Sequence, residues 1–281
     1  MGLELPPEIP RRYGQPLIIP TGGGDPTPYV RISSFSGAVE DSYNLDLWKQ
    51  RNTALGLAAQ PQLIDRIAGI IGNYDDPIDQ AKRELNDICK AAQDAAGSGR
   101  SADIGTALHS MAQAIDRGRN VLPGRWADHL RAYQEAMVAY EFLDAETFVV
   151  VDELRAAGTL DRLVRCPDEK VRVADLKTGK WELAFPAKTT AQVSVYAHGE
   201  RYDPATGERT PLHPDLDLTT GLLIWLPAKG KPSCQVVGLD LEAGWRRAQL
   251  AMQVRAERAR KAPEFLLAEP YPSAPIEWSA S

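Results

Sequence analysis

The chain of 281 residues has only three cysteines, and Cys89, Cys166 and Cys234 stand far apart. Their number and spacing argue against a disulfide framework and fit a reduced, cytoplasmic setting. They also fall short of the thiolate set of an iron–sulfur cluster, so no such cluster is expected. Long apolar runs are missing too. Nothing approaches the ~18 consecutive apolar residues of a membrane span, so no membrane association is expected. The start, Met1-Gly-Leu-Glu-Leu-Pro-Pro7, lacks the basic beginning and apolar stretch of a secretory leader. Pro6 stands where a myristoylation signal needs Ser or Thr. An excess of basic residues is absent: 32 Lys and Arg face 38 Asp and Glu, for a net charge of −6. That argues against a generic nucleic-acid coat, but it leaves room for a local basic groove beside an acidic site. Hydrophobic content of 43% and charged content of 25% are ordinary for a globular protein, and the length allows one large domain or two.

Residues 1–30 are rich in Pro and Gly and read as an extended arm with little core of its own. Residues 31–99 read as a helical layer. Tyr43–Ala59 carries Leu45, Leu47, Trp48, Leu55 and Leu57 among polar residues. Pro61 opens a second helix that Gly72 can close, and Pro77 begins a third with Ile78, Ala81, Leu85 and Ile88 at helical spacing. Lys49 and Arg51 beside Trp48 could touch DNA, although a buried Trp with a solvated basic edge explains them as well. After the break at residues 95–101, a helix over about Ala102–Arg117 buries Ile104, Leu108, Met111 and Ile115. His109 lies at the edge of that stripe, where a lone histidine is ordinarily structural. Trp126–Leu143 reads as another amphipathic helix and Thr147–Asp152 as a strand ended by Glu153. Pro186 can start a helix to about Arg201, on which Gln192 and Tyr196 share a face. Leu218–Leu226 and Ser233–Leu239 read as strands, Glu242–Lys261 as a last helix, and 262–281 as a surface tail. The arginines of that last helix are interleaved with Glu242 and Glu257, as on a solvated face. These elements form an α/β protein with a mixed sheet of five strands.

The stretch from Ala157 to Lys180 organises the rest. Leu160–Arg165 and Val171–Leu176 flank the turn-forming Cys166-Pro-Asp-Glu-Lys170, which makes a β-hairpin. If Arg165 pairs with Val171, then Asp161 falls opposite Asp175. Opposed carboxylates on neighbouring strands repel, so something must compensate, and a divalent cation is the simplest candidate. Asp175 and Lys177 share a strand face, while Leu176 points the other way and leaves its carbonyl oxygen available. Carboxylate oxygens suit hard Mg²⁺ or Mn²⁺, and a lysine beside them can orient or help deprotonate water. The cluster therefore suits metal-assisted hydrolysis of a phosphodiester.

Gly158-Thr-Leu-Asp161 followed by Val173-Ala-Asp175-Leu-Lys177-Thr-Gly resembles the core of the PD-(D/E)XK nuclease superfamily, most of all its RecB-like branch, which includes many phage exonucleases. Leu160 stands at the proline position of the name. Gly105-Thr-Ala-Leu-His109 resembles the branch's upstream histidine motif, Glu153 sits where an acid often precedes the hairpin, and Gln192-Val-Ser-Val-Tyr196 resembles its downstream Gln-xxx-Tyr motif. The resemblance implies a restriction-endonuclease-like core over residues 100–261, a central mixed sheet flanked by helices, with the N-terminal helical layer packed on it. It implies a metal site of His109, Asp161, Asp175 and the Leu176 carbonyl. Mn²⁺ would tolerate the imidazole better than Mg²⁺ does. Lys177 is the residue that positions or activates water, and Glu153, Gln192 and Tyr196 support the site. Lys180, Lys188 and Arg100 are candidate phosphate contacts. The activity implied is a DNA exonuclease in recombination, repair or replication, of phage origin, with DNA and a recombination or replication protein as partners. A structure-specific endonuclease and a non-catalytic nucleic-acid-binding module that kept the fold are the alternatives.

Overall fold

The computed structural model describes residues 9–180, 182–261 and 264–265, apart from the side chains of residues 100–102. The chain begins with a small sheet of β1 (Arg11–Arg12), β2 (Gln15–Ile18) and β3 (Thr27–Pro28), then β4 (Val30–Arg31) and the short helix α1 (Ile32–Ser36). Four helices follow: α2 (Tyr43–Ala59), α3 (Pro61–Asn73), α4 (Pro77–Gln80) and α5 (Lys82–Ala95). Pro61 and Pro77 each occupy a first helical turn, where a missing N–H costs nothing, and the Asp76 carboxylate caps α4 by accepting from Asp79 N–H. Gly97, at a left-handed φ of 81°, turns the chain from α5 into α6 (Ser98–Asp116), and α7 (Ala127–Met137) comes next.

The core alternates from there: β5 (Glu141–Val151), β6 (Ala156–Arg165), β7 (Val171–Lys177), α8 (Ala187–Ala197), β8 (Glu200–Tyr202), β9 (Arg209–Pro211), β10 (Thr220–Trp225), β11 (Gln235–Asp240) and α9 (Leu241–Ala259). Among the described residues these strands and β4 form an eight-stranded sheet in the order β11-β10-β7-β6-β5-β8-β9, with β4 alongside β6. The β7–β10 and β4–β6 pairs are parallel and the other pairs antiparallel, so the sheet is mixed. One face packs Val171, Val173 and Leu163 against Val193 and Tyr196 of α8 and Leu241 and Ala248 of α9. The other packs Val164, Ala174, Leu176 and Ile224 against Ala112 of α6 and Tyr133 and Met137 of α7. The α/β class and the helix-flanked mixed sheet match the expectation from the sequence.

Several boundaries differ. Of the arm expected over residues 1–30, residues 9–30 are packed on the core, while 1–8 lie outside the described residues: Ile18 and Tyr29 are buried against Val150, Ala157 and Tyr202, and β4 joins the main sheet. Proline and glycine there make turns between short strands rather than an unpaired leader. The helix expected to reach Leu143 stops at Met137, and Glu141–Leu143 open β5, where Phe142 packs into the sheet core. The helix after Pro186 ends at Ala197, and β8 follows it, so the sheet has more strands than the five expected. Trp48 is 42% exposed, with Leu45 and Leu55 more so. Helix α2 buries Gly56 instead. A Cβ there would lie 1.7 Å from the Ala92 carbonyl oxygen of α5, so the two backbones touch at this glycine. The helical segment has a core of its own, built from Leu63, Ile70, Ala81, Ile88 and Ala92. The expected tail lies outside the described residues except for Glu264 and Phe265.

The edge of the core where Leu216 and Asp217 meet β7 is tied by charge. The Arg172 guanidinium donates to both carboxylate oxygens of Asp168 at 2.7 Å and through Nε to Asp217 at 3.2 Å. Burial opposes ionisation of Asp217, but hydrogen bonds from Thr219 and Thr220 and the charge of Lys170 outweigh it and hold its pKa at about 2.

Two tests follow from these contacts. Gly56→Ala forces α2 and α5 apart and should destabilise the protein by about 2–3 kcal/mol, an overpacking cost read from urea unfolding. Asp217→Asn should cost on the order of 1 kcal/mol at neutral pH. Because the folded pKa is depressed, that stabilisation is complete above the ordinary value of 3.8 and is lost as pH falls through about 2. The difference between variant and parent should therefore shrink on acidification, measured by unfolding at a series of pH values.

Candidate active site

The hairpin register is the expected one: Arg165 pairs with Val171 and Arg162 with Ala174. The ladder ends there, one step before Asp161 and Asp175. The pairing of β6 with β5 also skips a step, passing from Ala145↔Arg162 to Thr147↔Leu160. Leu160 and Leu163 both join the core under α8 and α9, although three residues separate them. A regular strand cannot place both on one face, so β6 loses its alternation at Asp161–Arg162. The sheet opens around Asp161, and the side chains of three elements converge on it.

Asp161 is 8% exposed and has three donors. His109 Nε2, from α6, lies 2.8 Å from Oδ1. Oδ2 accepts from Arg162 Nη1 and from Leu176 N–H, each at 2.7 Å. Burial works against the Asp161 charge, but these donors overcome it and lower its pKa. For His109, burial disfavours the imidazolium, and the bond and charge of Asp161 prevail, raising its pKa. Arg162 is fully buried and donates through Nε to Asp116 at 2.8 Å, and Asp116 accepts from Tyr133 Oη at 2.5 Å. Asp116 ends the helix that carries His109, two turns further on. The Arg162–Asp116–Tyr133 chain therefore pins α6 and α7 to β6 and sets His109 against Asp161.

Asp175 lies beside this group, 4% exposed. Lys177 Nζ is 2.5 Å from its Oδ2, and Gln192 Nε2 donates to its Oδ1 at 3.3 Å. Burial, helped by the Asp161 charge, raises the Asp175 pKa against the pull of Lys177. Lys177 itself is partly desolvated, which favours the neutral amine, yet the Asp175 charge outweighs this and raises its pKa. The lysine is thus an ammonium here, as its neighbours require. Tyr196 is buried behind the site, which pushes its phenol pKa upward.

The glycines of the motifs are spacing devices. A Cβ on Gly105 would meet Thr178 Oγ1 at 2.7 Å, so the Gly105–His109 and Asp175–Gly179 segments touch there. A Cβ on Gly158 would press on Tyr196 at 3.3 Å, which links the first hairpin strand to the α8 motif.

The sequence missed Glu146. Its carboxylate, the Asp161 carboxylate and the His109 imidazole have ligand atoms within 4.8 Å of one another. Glu146 holds a left-handed φ of 59° within β5, a conformation that strains a non-glycine residue and recurs at functional sites. Burial first, then the charge of Asp161, raises its pKa. A strand read as starting at Thr147 leaves Glu146 just outside it; one starting earlier places Glu146 level with Asp161 across the β5–β6 ladder. Glu153, expected in the supporting role, is exposed on the 3-10 turn Asp152–Leu154 at the other end of β5 and is not brought to the cluster. Arg162, Asp116 and Tyr133 carry no motif that singles them out.

The donor set fits a divalent cation. Asp116, Glu146, Asp161 and Asp175 bring four carboxylates against two permanent cations, Arg162 and Lys177, with His109 a third only when protonated. Carboxylate oxygens with one imidazole suit Mn²⁺ or Mg²⁺. The Leu176 side chain is buried in the core away from Asp175 and Lys177.

Two clefts meet at Lys177. One, of about 380 Å³, runs along Gly105, His109 and Thr178; the other, of about 680 Å³, along Leu45, Phe185, Lys188 and Gln192; Lys177 and Glu182 line both. Lys188 is exposed in the second cleft, Lys180 is exposed beside the first, and the side chain of Arg100 lies outside the described residues.

No curated protein matches the chain. A family model described as the PD-(D/E)XK nuclease superfamily matches residues 63–272, most of the 281 residues. That match and the sheet that carries Asp161, Asp175 and Lys177 lead to one conclusion: the chain belongs to the PD-(D/E)XK nuclease superfamily.

Proposed function

We propose that this protein is a divalent-metal-dependent deoxyribonuclease of the RecB-like branch, acting as an exonuclease. The observation that carries the proposal is the convergence of Asp161, Asp175, His109, Glu146 and Lys177, with Lys177 on the walls of two clefts and His109 on one of them. Asp161, Asp175, Glu146 and His109, with the Leu176 carbonyl, would hold Mg²⁺ or Mn²⁺. Such an ion, when bound, lowers the pKa of a coordinated water and offsets the charge that builds on the scissile phosphate.

The remaining work falls to the chain's own side chains. Lys177 is charged and sits at the mouth of both clefts, so it acts as a hydrogen-bond donor that orients a water or a phosphate oxygen. Proton removal by Lys177 would require its pKa to fall, and its present neighbours raise it. Gln192 fixes the Asp175 carboxylate, and Tyr196 backs it. His109 and Arg162 hold Asp161 from opposite directions. Lys180 and Lys188 are proposed phosphate contacts. The exonuclease mode, a place in DNA recombination, repair or replication beside a partner protein, and a phage origin are supported by the order and spacing of the histidine, Asp-x-Lys and Gln-xxx-Tyr motifs.

Asp175→Ala, Lys177→Ala and Glu146→Gln should each lower Mn²⁺-dependent degradation of end-labelled linear DNA by about 100-fold or more. All three should keep a cooperative thermal transition. Asp161 calls for the milder Asn, because Ala would take one of two carboxylate partners from the buried Arg162 guanidinium and leave Asp116 alone to balance it, at a cost of up to about 3 kcal/mol. Full activity in the Asp175 or Lys177 variant would refute the assignment. Covalently closed circular DNA should survive while linear DNA is degraded. Cutting of the circle would instead indicate an endonuclease.

A further inference from the structure

Glu146 lines neither of the clefts that meet at Lys177. It opens into a third, of about 630 Å³, whose walls include Arg11 of β1, Arg117 just beyond α6, Arg201 of β8, and the rings of Phe148 and Tyr202. The charge balance of this cleft is the reverse of the catalytic cluster's. Arg201 is spent on an ion pair with Asp144 and on the Leu212 carbonyl. Glu146 belongs to the ligand cluster with His109 and Asp161. Arg11 and Arg117 form no ion pair among the described residues and are both exposed, and Arg11 makes only a long hydrogen bond, 3.5 Å, to the Gly14 carbonyl. Two guanidinium groups outside any ion pair among the described residues therefore line a cleft that shares Glu146 with the reacting centre, and the charge of Arg117 also acts on Glu146. Phe148 and Tyr202, with ring centroids 6.1 Å apart, give that cleft an apolar floor.

We propose that this cleft is a subsite for single-stranded DNA next to the scissile phosphate. Arg11 and Arg117 contact its phosphates, and a base rests toward Phe148. The inference rests on the nuclease reading and extends it to the substrate's form. Forked guanidinium donors suit phosphate oxygens, and an aromatic surface accepts any base by stacking. The volume lies in the range of small-ligand pockets, about 300–1,000 Å³, which suits one or two nucleotides. A duplex, whose major groove alone is about 12 Å wide, does not enter such a space. A strand held here and extending past Glu146 toward Lys177 would cross the ligand cluster, so the active site takes a separated strand.

The test compares the full chain with Arg11→Glu/Arg117→Glu and Arg11→Lys/Arg117→Lys. Binding of a short labelled single strand is followed by fluorescence anisotropy in EDTA over a series of salt concentrations. Thermal melting verifies that each variant is folded. The Glu pair should raise Kd by tenfold or more and flatten the dependence of log K on log salt by about 1.4, from ~0.7 per lost phosphate contact. The Lys pair should stay near the parent, and a blunt duplex should be affected less than the single strand. Unchanged single-strand affinity and slope, or an equal loss on duplex, would overturn the subsite. If the parent cuts DNA and the Glu pair binds like the parent, the subsite alone fails. If the parent neither binds nor cuts DNA, the nuclease reading fails with it.

Discussion

Asp161 is where the fold and the chemistry are joined. One buried carboxylate accepts from a helix histidine, from the arginine that follows it in its own strand, and from the backbone N–H of the facing strand. The last of these is a sheet donor that a regular ladder would satisfy with a carbonyl. By taking it, Asp161 ends the β6–β7 ladder and holds the two strands at the spacing that leaves Asp175 buried beside it and Lys177 on the walls of both clefts. Charged hydrogen bonds of this kind are stronger than neutral ones, but they come with a buried guanidinium that must be matched elsewhere. Asp116 and Tyr133 match it, and in doing so they fasten α6 and α7 to the sheet.

The site's electrostatics follow from that arrangement. Repulsion between Asp161 and Asp175 does not by itself require a metal, because Arg162, His109 and Lys177 already offset much of it. The surplus of carboxylates remains once Asp116 and Glu146 are counted. Lys177 and a divalent cation would both have claims on Asp175, whose Oδ2 faces the Lys177 ammonium and whose Oδ1 accepts from Gln192. In the third cleft the sign is reversed, with arginines outnumbering uncommitted acids. Negative charge gathered for a cation beside positive charge facing a cleft reconciles an acidic protein with a polyanionic substrate.

Much of this was legible in the sequence because it is local. The hairpin register follows from two apolar runs and a turn, and it places Asp161, Asp175 and Lys177 without long-range information. The glycines of two motifs lie under side chains of other segments, Thr178 against Gly105 and Tyr196 against Gly158. What was illegible is non-local or irregular. Glu146 reaches the site through a left-handed residue inside a strand and a skipped step in the ladder, and neither leaves a periodic signal. Arg162 looks like any charged residue on a strand, yet it is the largest fully buried side chain among the described residues. The N-terminal strands are too short and too rich in proline and glycine to announce pairing, although β4 lies directly against β6. Trp48 reads as a core residue by its type, but α2 packs through Gly56.

The central claim is that these acids and His109 form a divalent-cation site. It is tested most directly by calorimetric titration of the metal-stripped protein with Mn²⁺, alongside Glu146→Gln and Asp161→Asn. The account requires saturable binding of at least one Mn²⁺ by the parent, weakened in both variants. No binding to the parent, or equal binding in all three proteins, would contradict it.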